Sequence, residues 1–143
     1  MGFFEFEKRW LRSIFDCVIP SGASRVLPEG AADVPLEGFI EDLLAHAPAQ
    51  FCLGMRACTW AITLAPLLVL GRPKTFHGLS REDQYRVLDV MRSSDIYLVR
   101  EMPLLFKTIG CLGYGGLPRI QARLDIEPRD ATDPEWARRG AKS

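Results

Sequence analysis

The side chains best suited to nucleophilic, acid–base or metal chemistry are two histidines, His46 and His77, and four cysteines, Cys17, Cys52, Cys58 and Cys111. A hydrolytic site needs a nucleophile, a base and an orienting acid held together. His46 falls on the polar edge of an amphipathic run, and His77 sits in the loop Phe76-His77-Gly78. Each reads as a surface or capping histidine. No two cysteines form a C-x-x-C pair. Cys52 and Cys58 are separated by about 240° of helical rotation, so they face different ways. That spacing argues against a zinc or iron–sulfur site built by this chain alone. Thiols packed as small hydrophobes account for them better.

The remaining motifs of catalysis do not occur. There is no P-loop, no H-E-x-x-H and no G-x-S-x-G. A dinucleotide fingerprint would need a third glycine where Pro118 stands, and a strand before Gly113. The carboxylate pairs Glu82/Asp83 and Asp130/Asp133 read as helix-start and solvated charges. The glycines from Gly110 to Gly116 read as a tight helix exit permitting close backbone approach, in preference to a ligand cradle. The chain is therefore expected not to be an enzyme, and to hold no catalytic, cofactor-binding or metal-binding residues of its own.

The elements that would position any site are helical. From about residue 4 to 18, Phe4, Trp10, Leu11, Ile14, Phe15 and Val18 recur at three- and four-residue spacing, and Pro20-Ser21-Gly22 stops the run. A second helix carries the stripe Leu36, Phe39, Ile40, Leu43, Leu44 and Ala47, with Asp33 placed to cap it and Pro35 in its first turn. A third spans about Ala49 to Leu70. From Phe51 to Gly71 its only charge is Arg56, and Pro66 lies inside it. It is about long enough to cross a bilayer, which takes ~20 residues. Arg56 inside the span and the lack of a flanking basic cluster favour burial, centrally in a bundle or under a partner, over a membrane. A fourth helix opens at Ser80, with Glu82 and Asp83 suited to the positive end of the helix dipole. A fifth covers about Asp95 to Leu112, with Leu98, Met102, Leu105, Ile109 and Leu112 as its seam, Pro103 bending it and the glycines ending it.

The expected fold is all-α: a single compact bundle of about five helices over residues 1–124. Residues 125–143 are expected to form a loose charged tail, docked on a partner if Trp136, its only large apolar residue, is ordered. Length and composition agree. The chain has 143 residues, 48% of them hydrophobic and 25% charged, which is ordinary for one globular domain. Lysine plus arginine equals aspartate plus glutamate at 18 each. A balanced chain without a basic cluster is not expected to bind nucleic acid. The start lacks the pattern of a signal peptide and of a twin-arginine signal, so a cytoplasmic location is expected unless a partner carries the chain out.

The informative excess is apolar. A segment without charge on any side, together with zero net charge, suggests more apolar surface than one small core needs. Aromatic and large aliphatic side chains are favoured interface anchors. Trp60, Leu68, Tyr97, Phe106, Tyr114 and Trp136 are the expected interface residues.

Three stretches then resemble a known pattern. They are Leu79-Ser80-Arg81-Glu82-Asp83-Gln84-Tyr85-Arg86-Val87-Leu88, then Ser93-Ser94-Asp95-Ile96-Tyr97-Leu98-Val99-Arg100, then Leu105-Phe106-Lys107-Thr108-Ile109-Gly110-Cys111-Leu112-Gly113-Tyr114. The opening Ile14-Phe15-Asp16-Cys17-Val18-Ile19-Pro20-Ser21 is similar to a "D-x-I-I-P" segment of the same proteins. Over about residues 10–118 the chain resembles the helical small (gamma) subunits of FAD-dependent dehydrogenases of the glucose–methanol–choline class, such as the gluconate 2-dehydrogenase subunit 3 family. It also looks similar to the helical N-terminal region of long-chain alcohol oxidases. The resemblance implies a non-catalytic accessory subunit, chaperone-like in that it stabilises its partner. It implies a hetero-oligomer with a large flavoprotein that carries the FAD and the catalytic residues. A stand-alone module binding a lipid or hydrophobic ligand through residues 51–70 is the alternative. Exported members of the family carry a twin-arginine signal, which this sequence lacks, so the resemblance carries over the stabilising role and not export.

Overall fold

The computed structural model describes residues 3–125, and all of their regular structure is helical. Trp136 and the charged stretch from 126 onward lie outside the described residues. Helix α1 runs Glu5–Val18 and buries Leu11, Ile14, Phe15 and Cys17. It packs against the third, fourth and fifth helices, so it acts as the central pillar. Pro20 and a left-handed Gly22 (φ 76°) turn the chain away from it.

The following loop is tied down by its own polar groups. Asp33, expected to cap the second helix, instead ends a single 3-10 turn, Ala31–Asp33. Its carboxylate accepts the Gly30 N–H at 2.8 Å and the Ser21 hydroxyl. A side chain at Gly30 would run into the backbone of Ile19, Pro20 and Ser21, so only glycine permits this closure. Helix α2, Leu36–His46, therefore starts one residue after Pro35, which occupies its N-cap. Proline at a helix start wastes no donor, because the first N–H groups have no intrahelical partner.

Helix α3, Ala49–Val69, buries Met55, Thr59, Ile62, Thr63, Ala65 and Pro66. After the 3-10 turn Phe76–Gly78, helix α4 (Arg81–Arg92) opens as expected: the Ser80 hydroxyl accepts the Asp83 N–H at 3.3 Å. Buried Gln84 pins the turn to α4 by donating to the Phe76 carbonyl at 3.0 Å.

Helix α5 begins at Tyr97 and runs to Gly115. Its start is later than the expected Asp95, because the Ser94 hydroxyl takes the Ile96 N–H at 3.2 Å in a turn of its own. Its end is also later than expected. Gly110 and Gly113 do not break the helix; they let other elements approach it. A β-carbon at Gly110 would press on Phe15 of α1 at 2.9 Å, and one at Gly113 would collide with Phe39 and Leu36 of α2. A sixth short helix, α6 (Pro118–Arg123), was not anticipated; it fixes Ile120 in the core. The all-α bundle is thus as expected, with one extra short helix.

Candidate partner-binding face

The third helix is not central. Its inner side joins the core, while Leu53, Ala57, Trp60, Leu64, Leu67 and Leu68 stay exposed on its outer side. At 100° per residue these six fall within about a third of the helix circumference. No charged residue interrupts the stripe. Leu68, at the C-terminal end of the stripe, is 91% exposed. By length and composition α3 is the one helix among the described residues that would suit a membrane span, with a mean hydropathy of 1.5.

Trp60 links this stripe to an aromatic cluster on α1. Its ring meets Trp10 edge-on at 5.0 Å and Phe6 at 6.1 Å. Phe6 in turn meets Trp10 at 5.0 Å and stacks on Phe4 at 5.6 Å. Phe4, Phe6 and Trp60 remain exposed. Edge-to-face pairs of this kind contribute about 0.5–1.5 kcal/mol beyond their buried area. They also hold large rings at the surface in fixed positions, so little side-chain entropy remains to be lost on association.

Beneath the cluster lies a buried ion pair. Glu7 is 1% exposed. Arg56 Nε donates to its Oε1 at 2.6 Å and Arg56 Nη2 to its Oε2 at 2.8 Å, a two-toothed fork. Trp60 Nε1 donates to Oε1 at 2.8 Å, and the Phe4 N–H donates to Oε2 at 2.9 Å. The last bond also satisfies one free donor at the start of α1. The Arg56 guanidinium lies over the Phe4 ring at 4.9 Å and the Phe3 ring at 5.9 Å. Burial alone would push the Glu7 carboxyl up. The hydrogen bonds from Arg56, Trp60 and Phe4 outweigh it and hold the group below the usual carboxylate range, so it is ionised at neutral pH. The same bond holds Arg56 firmly protonated. The arrangement positions Trp60 and clamps α1 to α3.

The expected interface residues divide. Trp60 and Leu68 share the outer face of α3. Tyr97 is exposed at the first residue of α5, with Arg100 over its ring at 5.7 Å. Phe106 and Tyr114 are core residues and offer no surface to a partner. Phe106 is fully buried and packs edge-on against Phe15 at 5.7 Å. Tyr114 donates from its hydroxyl to the Glu29 carbonyl at 2.7 Å. Their hydrophobicity serves the bundle itself; the expected seam does not turn inward as a whole, since Leu98 and Leu112 are exposed and the buried side of α5 is Pro103, Phe106, Ile109, Gly110, Gly113 and Tyr114. Trp136 lies outside the described residues. Glu7, Phe4, Phe6 and Trp10 were missed as parts of this face. The signal was present: Arg56 is the only charge from Phe51 to Gly71 and needs a counter-charge, and Glu7 precedes Leu11 and Ile14 by four and seven residues on the inward side of α1.

His46 Nδ1 lies 2.9 Å from the Asp42 carbonyl, and His77 Nδ1 lies 2.9 Å from the Thr75 hydroxyl. No cluster of three or more metal-ligating side chains occurs among the described residues. Comparison of the chain with family models, with curated proteins and with solved structures finds no match.

Proposed function

We propose that this chain is a non-catalytic accessory subunit that binds and stabilises a large FAD-dependent oxidoreductase acting on a sugar or alcohol. The observation that carries the reading is the uncharged outer face of α3, continuous through Trp60 with the Phe4–Phe6–Trp10 cluster. Monomeric proteins seldom leave a contiguous apolar and aromatic face of this kind to water, and tryptophan-centred faces are typical hot spots of association. The resemblance of residues 79–88, 93–100 and 105–114 to the small subunits of flavin-dependent dehydrogenases supplies the identity of the partner. The flavin and the reacting groups belong to that partner, and this chain contributes surface. The complex belongs in the cytoplasm, with the α3 face covered by protein instead of lipid.

The test is affinity purification of the tagged chain from its own source, followed by size-exclusion chromatography with absorbance at 280 and 450 nm. A yellow peak much heavier than 16.1 kDa, with a large co-purifying chain, is the expected result. A colourless, well-behaved monomer would overturn the reading.

A further inference from the structure

We propose that the cleft between α4 and α5 binds the chain's own residues 127–136, an acidic segment that ends at Trp136. The cleft has a volume of about 630 Å³. Its charged lining is three cations, Arg86 and Arg92 from α4 and Lys107 from α5, against one carboxylate, Asp89. Arg92 takes that carboxylate at 3.0 Å. Arg86 and Lys107 form no ion pair among the described residues, so a surplus of two positive charges remains. Glu82 stands one turn before Arg86 but does not line the cleft and makes no ion pair with it. The rest of the lining is largely apolar. Tyr85 and Leu104 belong to it and stay 44% and 52% exposed.

The sequence supplies a segment of matching chemistry. Residues 127–135 hold four carboxylates, Glu127, Asp130, Asp133 and Glu135, against Arg129 alone, and Trp136 follows them. The cations Arg138, Arg139 and Lys142 come only after Trp136. The carboxylates answer Arg86 and Lys107, and the indole answers Tyr85 and Leu104. Reach is sufficient. From Lys107 along α5 and α6 to Asp125 the mostly helical path measures at most about 35 Å, and α6 packs back on α5. Residues 126–136 extended span up to ~36 Å. A tethered segment also acts at an effective concentration of about millimolar, which favours it over a free competitor. Other occupants fit less well. A second copy would set one positive cleft against another. A small anion would leave Tyr85 and Leu104 in water. The cleft is separate from the outer face of α3, and the inference does not rest on the partner reading.

The test is fluorine NMR of the full chain labelled with 5-fluorotryptophan, which reports its three tryptophans, Trp10, Trp60 and Trp136, separately. Trp136→Phe assigns the Trp136 signal. In wild type that signal is expected to stand apart from the signal of a free peptide of residues 125–143, at every protein concentration. Arg86→Glu with Lys107→Glu turns the surplus in the cleft from two positive to two negative charges, and should return the signal to the free-peptide position. Leu104→Asp should do the same, as should about 1 M sodium chloride, where the screening length falls to ~3 Å. Lys107→Arg keeps the charge and should keep the displacement. Unmoved Trp10 and Trp60 signals show that the bundle is intact in each variant, and the salt titration needs no variant. A free-peptide signal in wild type would overturn the proposal. So would a displacement that vanishes on dilution, which would mean docking on another copy, or one that charge reversal and salt both leave in place.

Discussion

Helix α1 is held on two sides by opposite means. Towards α3 it presents Glu7, buried, forked to Arg56 and bonded to Trp60. Towards α2 it presents Lys8 and Arg12, whose pairs with Glu41 and Glu37 stand in water. One ion pair stands on the first side and two on the second, yet the energetics run the other way. Exposed pairs gain little, because water screens them and long side chains must be immobilised. A buried pair repays its desolvation only through good geometry, and removing one partner leaves a charge with nowhere to go. The α1–α3 junction is thus a fixed clamp beneath the aromatic face, and the α1–α2 boundary is an open groove laced at its rim.

The contrast can be broken most forcefully at Glu7. Glu7→Ala is expected to destabilise the fold by about 3 kcal/mol, since Arg56, the Trp60 N–H and the Phe4 N–H all lose their acceptor. Urea unfolding monitored by tryptophan fluorescence measures it. Arg56→Leu alone should also be strongly destabilising, whereas Glu7→Leu combined with Arg56→Leu should recover much of the loss. A loss in Glu7→Ala no larger than that of an exposed pair would erase the distinction. Acid sharpens the same point. The Glu7 carboxyl has a lowered pKa in the folded chain, so its contribution is complete above the unfolded value of about 4.3 and fades as pH falls through the lower folded value. The stability gap between wild type and Glu7→Gln should therefore be constant near neutrality and close at low pH. A gap that did not narrow as the pH fell below the unfolded value of about 4.3 would contradict an ionised, hydrogen-bonded Glu7.

A smaller effect is expected where α2 meets the core. Gly113→Ala sets a methyl group against Phe39 and Leu36 and should cost about 1–3 kcal/mol by overpacking. Thermal unfolding would show it, and a neutral result would mean that α2 is not seated on α5. The smallest effect belongs to the groove rim. Glu37→Gln and Glu41→Gln should leave the unfolding midpoint unchanged within error, with or without added salt. A clear loss in either would make the rim pairs structural and undo the comparison from the other side.

Much of the scaffold was legible because it rests on spacing. The stripes of α1 and α2 and the Ser80 start of α4 follow from helical periodicity and capping. What was illegible depends on tertiary company. Gly110 and Gly113 look like helix breakers in isolation, yet inside α5 they make room for Phe15, Phe39 and Leu36, and packing overrides their poor propensity. Asp33 looks like a helix cap, but the Ser21 hydroxyl and the Gly30 N–H reach it first. The third helix showed no polar side, so nothing in the sequence separated its inner face from its outer one. Only the packing of Met55, Thr59 and Ile62 does so, and with it the distinction between Trp60 and Leu68 on the surface and Phe106 and Tyr114 in the core.

The most direct measurement is the behaviour of the outer face of α3 when it is made polar. Leu53 and Leu68 are exposed, and neither supports the Glu7 clamp. Leu53→Glu and Leu68→Glu, singly and together, should leave the unfolding midpoint where it is and separate the chain from the proposed flavoprotein partner in the dual-wavelength chromatography. The double variant is expected to elute colourless, free of a large partner. Undiminished co-elution of the double variant with a yellow, high-mass partner would contradict the claim that this face is what the chain offers.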